Sequence, residues 1–260
     1  MTINDSIAAR TNKSLDELDP AFAEFARARV ADTAPDATWD EPDLPGDANS
    51  EALTKWLEAH PKNFWGSQRL AARLIVEEKW PQAKAALLKF KALDPGYVGS
   101  ENAYMLLAAV HKRLSEPSEE RAVLEELARR DGDASAAYLR LMELGEAAGD
   151  WAAVARNADR LMSVNPLIPA PHRQLARASE QMGKRDEAIA AYRALSLLDE
   201  TDPAEVHFRL AKLLHEAGKK DEARREVLKS LEEAPRFLDA HRLLLEVIGP
   251  EGARRGFSGR

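Results

Sequence analysis

The 260-residue chain contains no cysteine, which excludes disulfides, thiolate metal sites and thiol nucleophiles. Its abundance of alanine, leucine, glutamate and arginine favours helices over strands. The formal charge of −7 is confined to the first 50 residues, where eleven acids stand against four bases; the remainder balances 33 of each, without the basic excess that drives nucleic-acid binding.

The opening MTINDSIAARTNK lacks the apolar core of a secretory leader. No stretch approaches the roughly 20 apolar residues of a bilayer span. These features predict a cytoplasmic protein with neither membrane nor nucleic acid as partner. Residues 1–30 read as a short helical segment. Ser14 and Glu17 form a capping box, Asp19-Pro20 reads as an N-cap followed by a first-turn proline, and Leu18, Phe22 and Phe25 share one helical face. Residues 31–49 are acidic and proline-rich and read as a linker with little regular structure. Trp39 lies within it, flanked by Asp36, Asp40, Glu41 and Asp43. Either the linker is mobile and the tryptophan exposed, or residues 36–45 fold back onto the apolar end of the next segment, around Trp56 and Trp65.

From residue 50 the pattern becomes periodic. Residues 50–59 predict a lone helix closed by Pro61. Then one register recurs: a bulky residue, apolar or small residues at +3, +4 and +7, a small residue at +16, a large one at +20 and a proline at +28. Ser67, Leu70, Ala71, Leu74, Ala83, Leu87 and Pro95 fill it first. Tyr138, Leu141, Met142, Gly145, Val154, Ala158 and Pro166 fill it again. His172, Leu175, Ala176, Ser179, Ala188 and Tyr192 come next, with the proline displaced to Pro203. His207, Leu210, Ala211, Leu214, Ala223, Val227 and Pro235 complete the series. A degenerate copy around Tyr104, Leu107, Ala108 and Leu124 has Glu120 at the small position, which suggests a second helix shifted toward Ala122. Gly149, Gly183 and Gly218 fall where a left-handed helix cap wants glycine. Residues 236–248 predict a final capping helix, and the glycine-rich 249–260 a flexible tail.

This register resembles the tetratricopeptide repeat, most plainly in GDWAAVARNADRLMSVNP (149–166), GKRDEAIAAYRAL (183–195) and GKKDEARREVLKSLEEAP (218–235). The resemblance implies an all-α, right-handed α-solenoid of about five helical hairpins over residues 50–248, with a half-repeat and a cap. A hairpin of this kind cannot bury its apolar face alone, so the units must stack. Residues 14–30 resemble the end of the catalytic domain in bacterial gluzincin-type zinc metallopeptidases that carry a tetratricopeptide tail, and 163–178 and 231–247 resemble that tail. That implies, as an alternative, a non-catalytic accessory module of a metallopeptidase domain.

The chain holds no chemistry of its own that the sequence can identify. There is no HExxH; His215-Glu216 begins like one, but position 219 is lysine. His207 and His215 are eight apart without a third ligand. No phosphate loop or nucleophile elbow occurs. Catalytic, cofactor-binding and metal-binding residues are therefore expected to be absent. The tetratricopeptide resemblance places the first helices along a concave face that takes a protein or peptide ligand. Its expected lining is Trp65, Gln68 and Ile75; Met105 and Lys112; Leu139; Arg173 and Arg177; and Phe208, Lys212 and His215. Arginine, aromatics and methionine are enriched at such surfaces, though ordinary solvated helix surface would look the same.

Overall fold

The computed structural model describes residues 7, 9–33, 37–198 and 201–255. It divides into two compact units, Met1–Glu126 and Leu127–Arg260. Unit 1 contains α1 (Leu15–Thr33), α2 (Ser50–Ala59), α3 (Phe64–Val76), α4 (Trp80–Leu93) and α5 (Ala103–Arg113). Helix α6 (Pro117–Arg130) carries the boundary. Unit 2 continues with α7 (Ser135–Ala148), α8 (Trp151–Val164), α9 (Pro169–Gln181), α10 (Arg185–Leu195), α11 (Pro203–Glu216), α12 (Lys220–Glu233) and α13 (Leu238–Arg255). The architecture is an all-α helical-repeat solenoid of the tetratricopeptide type.

One turn joins the two helices of each pair α3–α4, α5–α6, α7–α8, α9–α10 and α11–α12. Its central residue is left-handed: Glu78, Ser115, Gly149, Gly183 and Gly218, with φ of +56°, +59°, +69°, +70° and +75°. The next residue then donates back to the preceding helix: Lys79 N to Leu74 O, Glu116 N to His111 O, Asp150 N to Gly145 O, Lys184 N to Ser179 O and Lys219 N to Leu214 O, at 2.8–2.9 Å. This is the Schellman closure, which satisfies carbonyls the helix end leaves open. The three glycines stand where the sequence marks them. Glu78 and Ser115 take the same conformation without that mark.

The turn fixes the register of the second helix in each pair. Five residues beyond each left-handed residue stand Ala83, Glu120, Val154, Ala188 and Ala223, all buried. Glu120 therefore occupies the small-residue place itself, and the expected shift toward Ala122 does not occur: Ala122 is exposed. Helix α6 starts two residues after Ser115, as its counterparts do, which leaves no slack for a shift. The close approach of paired helices shows at Gly145, where an added Cβ would lie 2.9 Å from Val154 Cγ2.

Three of the bulky first-helix positions tie their pair to the loop before it. Tyr104 Oη donates to Pro95 O (2.5 Å), Tyr138 Oη to Gly132 O (3.1 Å), and His172 Nε2 lies 2.7 Å from Pro166 O. His241 Nε2 repeats this with Pro235 O at 2.9 Å, so α13 is built like another first helix. Ala240, Leu243 and Val247 of α13 share one buried cluster with Val206, Leu210, Ala211 and Val227. The helical record continues past Gly249, a non-helical break at φ 69°, ψ 174°, to Arg255. The tail expected over 249–260 is thus partly helical, and 256–260 lie outside the described residues. Pro203, read as a displaced terminator, opens α11 instead; Asp202 caps it, accepting from Glu205 N at 3.2 Å. The loop after α4 is longer than those after α6 and α8. There Tyr97 packs on Phe64 at 5.0 Å, and Asn102 caps α5 by accepting from Met105 N at 3.0 Å.

At the N-terminal end, Pro20 lies inside α1 rather than starting it. The start is at Ser14, whose N and Oγ both donate to the Glu17 carboxylate (2.8 and 3.0 Å). The acidic linker is pinned from residue 38 onward. Thr38 N donates to Lys62 O and Phe64 N to Thr38 O, each at 2.9 Å. Asn63 Nδ2 reaches Asp40 O (2.8 Å). Trp39 stacks on Phe64 at 4.3 Å and meets Trp65 edge-on at 6.1 Å. Of the two readings of this segment, folding back is the one observed for residues 38–40. Phe64 covers one face of the Trp39 ring, which stays 39% exposed.

Candidate functional site

In each unit the first helices of the pairs present one face. In unit 1 that face belongs to α3 and α5. Trp65 is half-buried beneath Trp39. Gln68 is buried, and its Nε2 reaches Glu101 O at 3.3 Å. Ile75 and Met105 are half-buried and Lys112 exposed. Gln68 thus holds a loop, and Trp65 is partly covered by the chain itself. On α5, His111 is buried with Nδ1 2.6 Å from Glu116 Oε2, which also accepts from Lys84 Nζ at 2.7 Å. Lys84 first, then His111, hold the Glu116 carboxyl below its usual range.

Unit 2 is more strongly charged. Glu146 of α7 accepts from Arg177 Nη2 of α9 at 2.9 Å. Glu180 of α9 lies 3.6 Å from Arg209 Nη1 of α11, and Arg209 Nε donates to Glu205 at 2.6 Å. Tyr192 backs this group from α10; burial first and then the Glu180 carboxylate push its phenol well above the usual value. A cavity of about 370 Å³ opens here, lined by Arg173, Arg177, Glu180, Gln181, Glu205 and Arg209 among others. A second, of about 180 Å³, adjoins it through Glu180 and Arg209 and reaches Arg185, Lys212 and Glu216. Lys212 is exposed at its edge. Leu139, on α7, is 38% exposed.

Three of the eleven expected lining residues (Arg173, Arg177 and Lys212) gather at these cavities. Phe208 does not: its ring packs on Phe237 at 4.9 Å and against the C-terminal core. The exposed stripe of α11 therefore runs Glu205, Arg209, Lys212 and Glu216, and sequence reasoning missed Arg209. Its one signal was the i, i+4 pairing of Glu205 with Arg209. His215 is half-buried, with its Nδ1 enclosed and unbonded. His207 points elsewhere, its Nδ1 2.7 Å from Glu226 Oε2 of α12. Burial raises the Glu226 carboxyl, but Lys229 and His207 outweigh it and leave the group below its usual range. Among the described residues, no group of three or more His, Asp or Glu is placed to hold a metal ion. No helix among them is long and apolar enough to cross a membrane.

The fold is that of the tetratricopeptide-repeat proteins. YrrB, described as a TPR protein with an unusual peptide-binding site, superposes over 74% of this chain and 97% of its own, with TM-score 0.55 and 17% identity. MamA covers 64% of this chain and 89% of its own, at TM-score 0.50 and 18% identity. The Naa15/Naa10 assembly bound to HypK-THB gives TM-score 0.60 at 15% identity; 79% of this chain matches 31% of that one. The model of a bacterial transcriptional activator domain matches residues 107–212. No curated protein sequence matches the chain.

Proposed function

We propose that the chain is a protein-binding scaffold, and that the first-helix face of unit 2 takes an acidic, extended peptide segment of its partner. The observation behind this reading is the pair of adjoining cavities between α9 and α11, with Arg173, Arg177, Arg209 and Lys212 around them. Glu146, Glu180 and Glu205 hold Arg177 and Arg209 in place, so little side-chain order is lost on binding. Arginine presents a planar donor fork that fits carboxylates and backbone carbonyls. That YrrB has a peptide-binding site on the same fold is consistent with this use.

An array of acidic, neutral and basic dodecapeptides tests the reading. Acidic peptides are expected to bind the parent protein. Binding is expected to fall at least tenfold in Arg177→Glu/Lys212→Glu, with helix content unchanged. Equal binding of all three classes, or equal binding by the variant, would refute it. The match over residues 107–212 favours a second reading, in which the same scaffold serves a transcriptional regulator. It is distinguished by whether the captured partner belongs to the transcription machinery. The metallopeptidase alternative predicts instead a partner domain that carries HExxH.

A further inference from the structure

We propose that α1 docks through its Leu18–Phe22–Phe25 stripe into the apolar groove between α2 and α4 of its own chain. This groove lies on the second-helix side of unit 1, away from the first-helix face. Leu18, Phe22 and Phe25 stand at i, i+4 and i+7, one face of a helix. Phe22 is 69% exposed and Phe25 60%. Apolar stripes of this kind mark contact surfaces.

The groove is the matching half. A cavity of about 530 Å³ is bounded by Leu57 and Pro61 from the α2 side, by Leu70 of α3 below, and by Ala86 and Leu93 of α4. A second, of about 770 Å³, shares Leu70 and Ala86 and continues to Ser50, Lys79 and Gln82 at the other end. The two form one trough along α2 and α4. Eleven residues separate Ser50 from Pro61, so its length is about 16 Å at helical rise. Leu18 to Phe25 spans about 10 Å on the same scale.

Tether length selects the occupant. Thr38 is bonded to Lys62, the neighbour of Pro61 at one end of the trough. Helix α1 ends at Thr33, five residues earlier, a reach of about 17 Å. Helix α1 then runs back along the trough from its Pro61 end toward its Ser50 end. A tether this short gives an effective concentration of the order of millimolar, so at micromolar protein the chain's own helix outcompetes a second copy's.

The absence of native cysteine makes the test clean. Ala21→Cys, beside the stripe and leaving its three apolar side chains in place, is paired with Thr54→Cys or with Ala86→Cys, both in the trough, and with Ser163→Cys as a control in unit 2. Mild oxidation is expected to link residue 21 to 54 or 86 within a monomer, and not to 163. Crosslinked dimers at the same pairs would overturn own-chain docking in favour of a second copy. No crosslink, or equal crosslinking to 163, would overturn docking altogether. Hydrogen exchange supplies a reading that needs no cysteine. Amides of residues 18–26 are expected to exchange at least tenfold faster in Ala86→Glu, which puts an acid in the trough, than in the parent. Unchanged exchange, with helix content intact, would refute the proposal.

Discussion

The two units solve the same turn with different residues. Unit 2 closes its helix pairs on Gly149, Gly183 and Gly218, whereas unit 1 closes them on Glu78 and Ser115 at nearly the same φ. Glycine takes this conformation freely; a residue with a Cβ is strained there by roughly 1–2 kcal/mol. Unit 1 reaches the same Schellman bonds without glycine. Phe64, Phe90 and Tyr97 form an aromatic cluster at 4.8–6.3 Å there, which has no counterpart among the described aromatic contacts of unit 2 beyond the Phe208–Phe237 pair.

The sharpest way to break this comparison is at the helix crossing the units share. Ala83 in unit 1 and Ala188 and Ala223 in unit 2 are all fully buried. Enlarging any of them to Phe is expected to cost about 1–3 kcal/mol, read as a lower denaturation midpoint. Unchanged midpoints for both Ala188→Phe and Ala223→Phe would show that the register is wrong. A large loss in unit 2 with none at Ala83→Phe would show that unit 1 does not use the same crossing.

The turn swap has a smaller expected effect. Nothing stands within 4 Å of a Cβ built on Gly149, Gly183 or Gly218, so Gly→Ala there has only a conformational cost, about 1 kcal/mol. Glu78→Gly and Ser115→Gly are expected to be neutral or to stabilise by up to about 1 kcal/mol, since relief of strain competes with a freer unfolded chain. Chemical denaturation of the five single variants checks the sign. A loss in unit 1 on gaining glycine, as large as the loss in unit 2 on removing it, would mean that the Glu78 and Ser115 side chains themselves hold the turns.

Where the sequence was legible, the signal was local. Pro95, Pro166 and Pro235 come just after the ends of α4, α8 and α12, and glycine marks three turns, because each acts on the backbone within a few residues. The unmarked turns were not legible, since a left-handed Glu78 or Ser115 looks like any polar residue. Glu120 misled for a related reason: its composition argued for a shift, but the turn at Ser115 set the register. At the candidate site Arg173, Arg177 and Lys212 were named from their first-helix register; Arg177 and Lys212 are exposed and Arg173 half-buried. Phe208 and Arg209 exchanged roles because Phe237, beyond the next helix, draws the phenylalanine inward. The pinning of Thr38 to Lys62 and Phe64 depends on a backbone pairing that no side chain announces; only the cost of exposing Trp39 hinted at it.

The smallest expected effect separates the two ends of the solenoid by pH. Helix α13 packs on unit 2 through Ala240, Leu243 and Val247, which do not titrate. Helix α2 is fastened to unit 1 by a carboxylate. Ser50 N and Oγ donate to Glu77 at 3.0 and 2.6 Å, and Lys79 Nζ lies 2.7 Å from it. The hydrogen bond from Lys79 first, then those from Ser50, lower the Glu77 pKa from 4.5 to about 2. A folded-state value below the unfolded one contributes stability that is fully present above about 4.5 and lost as the pH falls toward 2. The Glu77 side chain is 23% exposed, so salt screens part of the effect. Between about pH 5 and 2.5, amides of α2 are expected to lose more protection against hydrogen exchange than those of α13. Glu77→Gln is expected to weaken α2 at neutral pH and to flatten its pH dependence while leaving α13 unchanged. If α2 in Glu77→Gln kept the parent's full pH dependence, another carboxylate would be the fastener.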